Sequence, residues 1–481
     1  MTVKTTECGA TSTQASQAGY DLVVIGAGSA GFAAAIAAAE QGAEVALVGH
    51  GTLGGTCVNI GCLPSKTLIR AAQALHDSRA AVRFAGLHAA AELEDWPALV
   101  QQKDALVSNL RRERYADLLS AYDSIHYIES KAQLVQGGVV IDGVLLRANR
   151  VIIASGARPA MPPIPGVTDV EVLTSTSALS LEKLPRSLLV LGGGYIGAEL
   201  AQMFARMGVR VTVVCRSRLL PAAEPEISEA LSRYFQEEGI ALDCGITYRR
   251  LRSTDHGVAL VVAKDNCERV LEAERLLVAT GRKPNVEDLG LETLGIAQAN
   301  NGAIELDDYM QTTRPGIYGA GDVSTKDQFV YMAAYGAKIA AQNALSGNTR
   351  RYDRSAMPAV VFTDPQVASV GETEAAARAN DLDVETSVLP LHQVSRAIAA
   401  RDTRGLIKLV RDRRSERLLG AHLLAPEGAD AIQTAALVIK HGLTSRDLAE
   451  MIFPYLTTAE GLKLAAQAFE KDVAKLSCCA G

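Results

Sequence analysis

Tyr20-Asp-Leu-Val-Val-Ile-Gly-Ala-Gly-Ser-Ala-Gly-Phe-Ala-Ala-Ala-Ile-Ala-Ala-Ala-Glu-Gln-Gly-Ala-Glu-Val-Ala-Leu-Val48 is the stretch from which the fold is read. Tyr20 to Ile25 is a short apolar run of strand character, and Ala43 to Val48 is a second. Between them the glycines Gly26, Gly28 and Gly31 form G-x-G-x-x-G, followed by an alanine-rich helical pattern from Phe32 to Gln41. Strand, glycine turn, helix, strand is the full context of a dinucleotide fingerprint. The glycines let the backbone approach a pyrophosphate, and the helix start, with Ser29 and Ala30, turns its N–H groups to that charge. One part of the fingerprint is missing. An acid that would hold a ribose hydroxyl is expected at the end of the second strand, where Gly49 and His50 stand.

The pattern recurs. Leu188 to Leu191 leads into Gly192-Gly193-Gly194-Tyr195-Ile196-Gly197-Ala198-Glu199, a helical pattern runs to Met207, and Val209 to Val214 is the next strand. Gly192, Gly194 and Gly197 are the second set of fingerprint glycines. The acid is again absent, replaced by Cys215-Arg216-Ser217-Arg218. Arg216 and Arg218 suit a 2′-phosphate, which favours NADPH over NADH; the alternative is two arginines on a solvated loop. Ala154-Ser155-Gly156-Ala157-Arg158-Pro159 and Ala279-Thr280-Gly281-Arg282-Lys283-Pro284 echo each other, one after each fingerprint, so one α/β fold is used twice. Met161-Pro-Pro-Ile-Pro-Gly166 marks a rigid turn and a domain boundary. From Ser355 onward the texture changes to alternating strand patterns and then helices.

Just beyond the opening stretch lies Gly54-Gly55-Thr56-Cys57-Val58-Asn59-Ile60-Gly61-Cys62-Leu63-Pro64-Ser65-Lys66, running into a helix through Ile69, Arg70 and Ala74. In an unbroken helix residues five apart have Cα atoms about 8–9 Å apart. A disulfide needs about 7 Å or less. A Cys57–Cys62 bridge therefore requires an irregular turn, for which Gly61 and Pro64 are suited. On spacing alone the pair reads equally as two structural thiols. A helical pattern from Trp96 to Leu119 carries Arg111-Arg112-Glu113-Arg114, read as a solvated face.

The 481 residues allow about three domains. With 48% hydrophobic and 21% charged residues and a net charge of −6, nothing points to nucleic acid or an anionic membrane as partner. No apolar run reaches transmembrane length, and the start of the chain lacks the apolar core of a signal peptide, so a cytoplasmic location is expected. The eight cysteines are too sparse for a disulfide scaffold. Cys8 lies in a polar stretch, residues 1–18, expected to be a flexible tail, and Cys478-Cys479 form a second clustered pair at the other end.

Gly-Gly-Thr-Cys-x4-Cys-x-Pro-Ser-Lys, the two fingerprints and Gly319-Ala320-Gly321-Asp322 together resemble the FAD-dependent pyridine nucleotide-disulfide oxidoreductases. The resemblance implies a glutathione-reductase-like fold of two Rossmann-like domains and a C-terminal α+β dimerisation domain. It implies an FAD domain at 19–160 and 287–350, an NAD(P)H domain at 161–286, dimerisation at 351–470, and a short tail at 471–481. FAD would lie under the first fingerprint, contacted by Gly55, Thr56, Ser155, Gly156, Asp322 and Val330. A nicotinamide cofactor would lie under the second, with Gly281 and Arg282. Lys66 would pair with Glu199 near the flavin, Cys62 would lie against the flavin, Cys57 would face the substrate, and Tyr195 would act as a lid over the nicotinamide face.

Disulfide reductases of this family carry a His, with a Glu five residues on, as a base. Aligned on Glu460, Tyr455 takes that place in Phe453-Pro-Tyr-Leu-Thr-Thr-Ala-Glu460. An imidazole titrates near neutrality; a phenol, near about pH 10, does not serve thiol–disulfide proton transfer. Thiolates bind soft metals. Cys57, Cys62, Cys478 and Cys479, without a thiol base, therefore resemble the branch of the family that reduces Hg(II) to Hg(0) with NADPH. That branch takes the metal as a thiol complex, and its members often carry an N-terminal Cys-x-x-Cys domain, which this sequence does not show. The dimer would share each site between subunits, the tail pair passing Hg(II) to Cys57 and Cys62. The rivals are a large thioredoxin-reductase-like enzyme, against which Tyr455 argues, and a non-catalytic soft-metal sequestering protein, which would leave both fingerprints unexplained.

Overall fold

The computed structural model describes residues 19–265 and 267–475; Cys8, Cys478 and Cys479 lie outside them. The chain divides into two compact units. The first comprises the chain to Asn59, Val107–Arg158 and Lys283–Tyr352; the second comprises Ile60–Leu106, Pro159–Arg282 and the chain from Asp353.

The first unit is built on a parallel sheet in the order Ile317–Gly319, Val151–Ile153, Leu22–Ile25, Val45–Gly49, Ile125–Glu129. Its three central strands are buried along their whole length, which is why they read as unbroken apolar runs and not as alternation. Pairing runs Leu22↔Val45 and Val23↔Val151. The first fingerprint helix, Ser29–Ala39, begins three residues before the helical pattern read from the sequence, directly after Gly28. Its alanines leave little side-chain bulk, and it packs on Val330–Ser346, itself rich in alanine. An antiparallel ribbon, Ala132–Val135, Gly138–Ile141 and Val144–Arg147, completes this unit.

The second unit repeats the parallel arrangement as Ala241–Cys244, Arg210–Cys215, Ser187–Leu191, Arg275–Val278, Val172–Leu173. Its helix Tyr195–Arg206 buries Leu200, Met203 and Phe204 in a core shared with Leu188, Val190 and Phe235. Each such side chain removed from water contributes about 1.5–3 kcal/mol. The same unit holds an antiparallel sheet, Pro358–Val361, Gln366–Gly371, Leu418–Ala425, Leu406–Asp412, Val384–Pro390, covered by Gly428–Lys440 and Glu460–Gln467.

Two helices differ from the sequence reading. Trp96–Arg111 is α-helical, but Arg112–Ala116 is a π turn before Asp117–Leu119. The π turn delivers Tyr115 edge-on to Phe32, ring centres 4.9 Å apart, while Arg112, Glu113 and Arg114 stay exposed as expected. The helical pattern from Leu462 to Lys475 is cut short: Glu460–Gln467 is the helix and Val473–Lys475 a 3-10 turn. Phe469, beyond the helix, lies under the Arg411 guanidinium, 4.1 Å from its ring centre.

Candidate active site

In the first unit the fingerprint glycines are where side chains cannot go. Gly26 has φ +117°, and a Cβ there would lie 2.2 Å from the Ala154 carbonyl oxygen. A Cβ on Gly31 would lie 1.7 Å from the Gly26 oxygen. Gly28 bridges to Gly54, and a Cβ on Gly55 would come within 2.7 Å of the Gly28 Cα. The cysteine loop is thereby laid directly on the pyrophosphate turn. Asn59 holds it there, donating to the Leu53 and Gly55 carbonyls at 2.8 Å each. Tyr115, which the sequence reading passed over, reaches Ser29 Oγ at 3.3 Å; only the π turn places it there.

The missing ribose acid has a steric cause. A Cβ at Gly49 would meet the Ala27 Cβ at 2.6 Å, so any side chain there is excluded. Glu129 closes the adjacent strand in register with Gly49. On the far side of the turn, Gly321 fits against Ala30 and Ala333, which sets Asp322 and the helix starting at Val330 beside the first fingerprint. Ser155 Oγ donates to the Asn285 carbonyl at 2.6 Å, and the Asn285 N–H donates to the Gly156 carbonyl at 2.9 Å. The helix starting at Ser29 has no side-chain cap and no acid in its first turn. A glycine cradle beside an uncapped, acid-free helix start fits the pyrophosphate of FAD.

Gly55-Thr56-Cys57 opens the short helix Gly55–Ile60. The chain leaves helical geometry at Gly61, φ −126° and ψ −111°, and Cys62 begins the helix Cys62–Ala80. The irregular turn that a Cys57–Cys62 bridge requires is present, and both cysteines are half-buried.

In the second unit Lys66 Nζ donates to Glu199 Oε2 at 2.6 Å, and Glu199 Oε1 accepts the Phe362 N–H at 2.9 Å. Lys66 also lies over the Phe362 ring, 5.1 Å from its centre. Glu199 is buried, so its charge depends on these donors. Four turns of sequence-distant chain thus meet at one carboxylate. At the second fingerprint Gly192 has φ +113° with a would-be Cβ 2.4 Å from the Ala279 oxygen, a Cβ on Gly197 would lie 2.0 Å from the Gly192 oxygen, and Gly194 faces open space. Tyr195 opens the helix after Gly194, and burial pushes its phenol above the ordinary value, keeping it a proton donor. Gly281, φ +121°, also faces open space, next to Arg282. Arg218 donates to the Pro221 and Ala223 carbonyls at 3.1 and 2.7 Å, whereas Arg216 is exposed.

Tyr455 is 48% exposed. Glu460 accepts the Leu456 N–H at 3.1 Å, holding Leu456 at φ +62°. The acid that in a disulfide reductase would serve the base here shapes the loop that presents a phenol.

Residues 20–341 match the pyridine nucleotide-disulphide oxidoreductase family, and residues 357–466 match that family's dimerisation domain. The chain belongs to this family. Its members use FAD and NAD(P)H. The chain is 46% identical to the mercuric reductase of Lysinibacillus sphaericus over 96% of its own length and 85% of that protein's. It is 45% identical to the mercuric reductase of Streptomyces lividans over 96% and 99%. Among solved structures, the HOCl-induced flavoprotein disulfide reductase RclA of Escherichia coli is 31% identical, with a TM-score of 0.81 over 93% of this chain and 99% of that one. Among the described residues no helix is long and apolar enough to cross a membrane.

Proposed function

We propose that this protein is a mercury(II) reductase, taking two electrons from NADPH to convert Hg(II) to Hg(0). Relatives 43–46% identical over nearly the whole chain are mercuric reductases. The observation that carries the reading within the family is Tyr455, set where a disulfide reductase needs an imidazole. FAD, held by the first glycine cradle with Asp322 and Val330, supplies the two-electron relay between nicotinamide and metal. Gly192, Gly194 and Gly197 cradle the NADPH pyrophosphate, Gly281 and Arg282 flank it, and Arg216 takes the 2′-phosphate. Tyr195 shields the nicotinamide face and moves aside for it. Cys57 and Cys62 bind Hg(II) as thiolates, which ionise more readily at a helix start. Lys66, fixed by Glu199, keeps positive charge beside the place where electrons accumulate, and Tyr455 faces the metal. The protein acts as a homodimer, and Cys478 and Cys479 of each tail deliver Hg(II) to the other subunit's inner pair.

Anaerobic assay of the purified yellow protein tests the reading. NADPH oxidation should depend on Hg(II) and yield volatile mercury, whereas rapid reduction of thioredoxin or glutathione disulfide would overturn it. Tyr455→Phe should slow Hg(II) turnover about 10–100-fold, the range for groups supporting a metal site, with flavin reduction by NADPH unchanged in stopped flow. Arg216→Glu should raise KM for NADPH about 10–100-fold through loss of charge-assisted hydrogen bonds. KM for NADH should move little; equal efficiency of the two donors in the unmodified protein would remove the phosphate-pocket assignment.

A further inference from the structure

Two cysteines with no part in the reaction lie side by side in the nucleotide sheet of the second unit. Cys215 ends the strand Arg210–Cys215, Cys244 ends Ala241–Cys244, and the two are directly paired in the parallel register. Neighbouring strands lie about 4.8 Å apart, within the Cα separation a disulfide spans. The Cys215 Sγ–H donates to Cys244 Sγ at 2.9 Å. Cys215 is buried and Cys244 half-buried, so solvent reaches the pair from the Cys244 side.

The pair also supports the loop that follows Cys215. The Ser217 N–H turns to the Cys215 sulfur, and the Leu219 N–H turns to the Cys244 sulfur. Gly193 of the fingerprint sits so close that a Cβ on it would be 3.3 Å from Cys215 Sγ, and Leu220 N–H returns to the Gly193 carbonyl at 2.7 Å. Glycine turn, Arg216 and thiol pair form one connected piece.

We propose that Cys215 and Cys244 are an oxidisable dithiol, converted to a disulfide by low-molecular-weight thiol disulfides, and that the bridge loosens the Arg216 loop and weakens binding of a 2′-phosphorylated nucleotide. The second half rests on the assignment of Arg216 to that phosphate. A metal site fits less well. Two thiolates on one metal, with bonds of about 2.3 Å, stand about 3.8 Å apart even in tetrahedral geometry. Among the described residues no cluster of three or more His, Cys, Asp or Glu is placed to hold a metal. Closing 2.9 Å to a covalent bond is the smaller movement.

The order of events follows from the pair's asymmetry. The Cys215 S–H, by donating, holds the Cys244 thiol below its ordinary value, while the same bond and burial push Cys215 up. Cys244 thiolate attacks the incoming disulfide, forming a mixed disulfide and releasing one thiolate. Cys215 then attacks the Cys244 sulfur, closes the bridge and releases the second thiol, its own proton passing to solvent or to that leaving group. One external disulfide is reduced to two thiols for each internal disulfide made. In the product neither sulfur is an anionic acceptor for the Ser217 and Leu219 N–H groups, so the loop loses two holds.

The test treats the FAD-loaded protein with excess oxidised glutathione, maps disulfides by mass spectrometry without reduction, and measures NADP+ and NAD+ binding by calorimetry. We expect a Cys215–Cys244 peptide pair and NADP+ binding weakened about fivefold or more by two lost hydrogen bonds. NAD+ binding should be unchanged, and dithiothreitol should reverse the effect. Cys244→Ser and, separately, Cys215→Ala should bind NADP+ equally with and without oxidant. Failure to form the pair, glutathione trapped on Cys244, or a bridge from Cys244 to the exposed Cys267 would overturn the proposal. A Cys215–Cys244 bridge that leaves NADP+ binding unchanged would overturn the coupling; Arg216→Glu in reduced protein judges the phosphate assignment separately.

Discussion

A dimer mixed from two inactive parents should recover activity toward thiol-bound Hg(II). One parent carries Cys57→Ala with Cys62→Ala, the other Cys478→Ala with Cys479→Ala. The first lacks the thiolates beside the first fingerprint, in the loop that Asn59 ties to Leu53 and Gly55. The second lacks the pair that would take the metal from solution thiols. Delivery from a tethered tail replaces a bimolecular encounter with an intramolecular one, a gain of about 10²–10⁴-fold, and each parent homodimer should lose activity by that order. In the mixed dimer one complete set of four thiols survives only when the tail of one subunit serves the inner pair of the other. Steady-state NADPH oxidation with Hg(II) bound to excess cysteine measures the recovery. Exchanged subunits with no recovery would show that the tail works within its own chain or not at all.

The second large effect is on stability. Arg206, 5% exposed, donates from Nε and Nη2 to Glu238 at 2.8 and 2.7 Å and from Nη2 to Asp364 at 2.8 Å. Arg206→Leu keeps the aliphatic bulk and strands two buried carboxylates, a change that costs about 3–5 kcal/mol. Arg404, 3.4 Å from each carboxylate, places the expectation near the lower figure. Its pH dependence has a definite sign. Burial pushes the Asp364 carboxyl up, but Arg206 and Arg404 more than offset this and hold it below the ordinary value. In the native protein its contribution is therefore complete above about pH 4 and lost as the pH falls below that. Without Arg206 the burial effect dominates, Asp364 protonates at higher pH, and the cost of the substitution should shrink between pH 7 and pH 4.5. Urea unfolding of the FAD-loaded protein at the two values measures this. A cost that is the same at both would mean that Asp364 is not the stranded charge.

Both dinucleotide units were legible in the sequence because their determinants are local. A strand buried on both faces must be continuously apolar, and a pyrophosphate turn must be glycine where a Cβ would strike the next strand, as at Gly26 and Gly192. The break between Cys57 and Cys62 was legible for the same reason, since Gly61 alone carries it. The substitution of Tyr455 for the thiol base could be read by alignment on Glu460, without any coordinate.

What only the tertiary structure decided depends on residues far apart in the chain. Gly49 is glycine because Ala27, on the turn beside it, fills the space a ribose-binding acid would need. Arg218, equal to Arg216 in the sequence, is held by the Pro221 and Ala223 carbonyls, so the two arginines differ in what they can bind. Lys408 reads as a polar position in a strand, yet it is 1% exposed and bonded to Glu224, Glu226 and Glu374. A buried charge is tolerable only where its partners converge, and that convergence has no periodicity along the chain. Cys215 and Cys244, 29 residues apart, show the same limit: strand registry, set by the packing of two apolar runs, brings their sulfurs together.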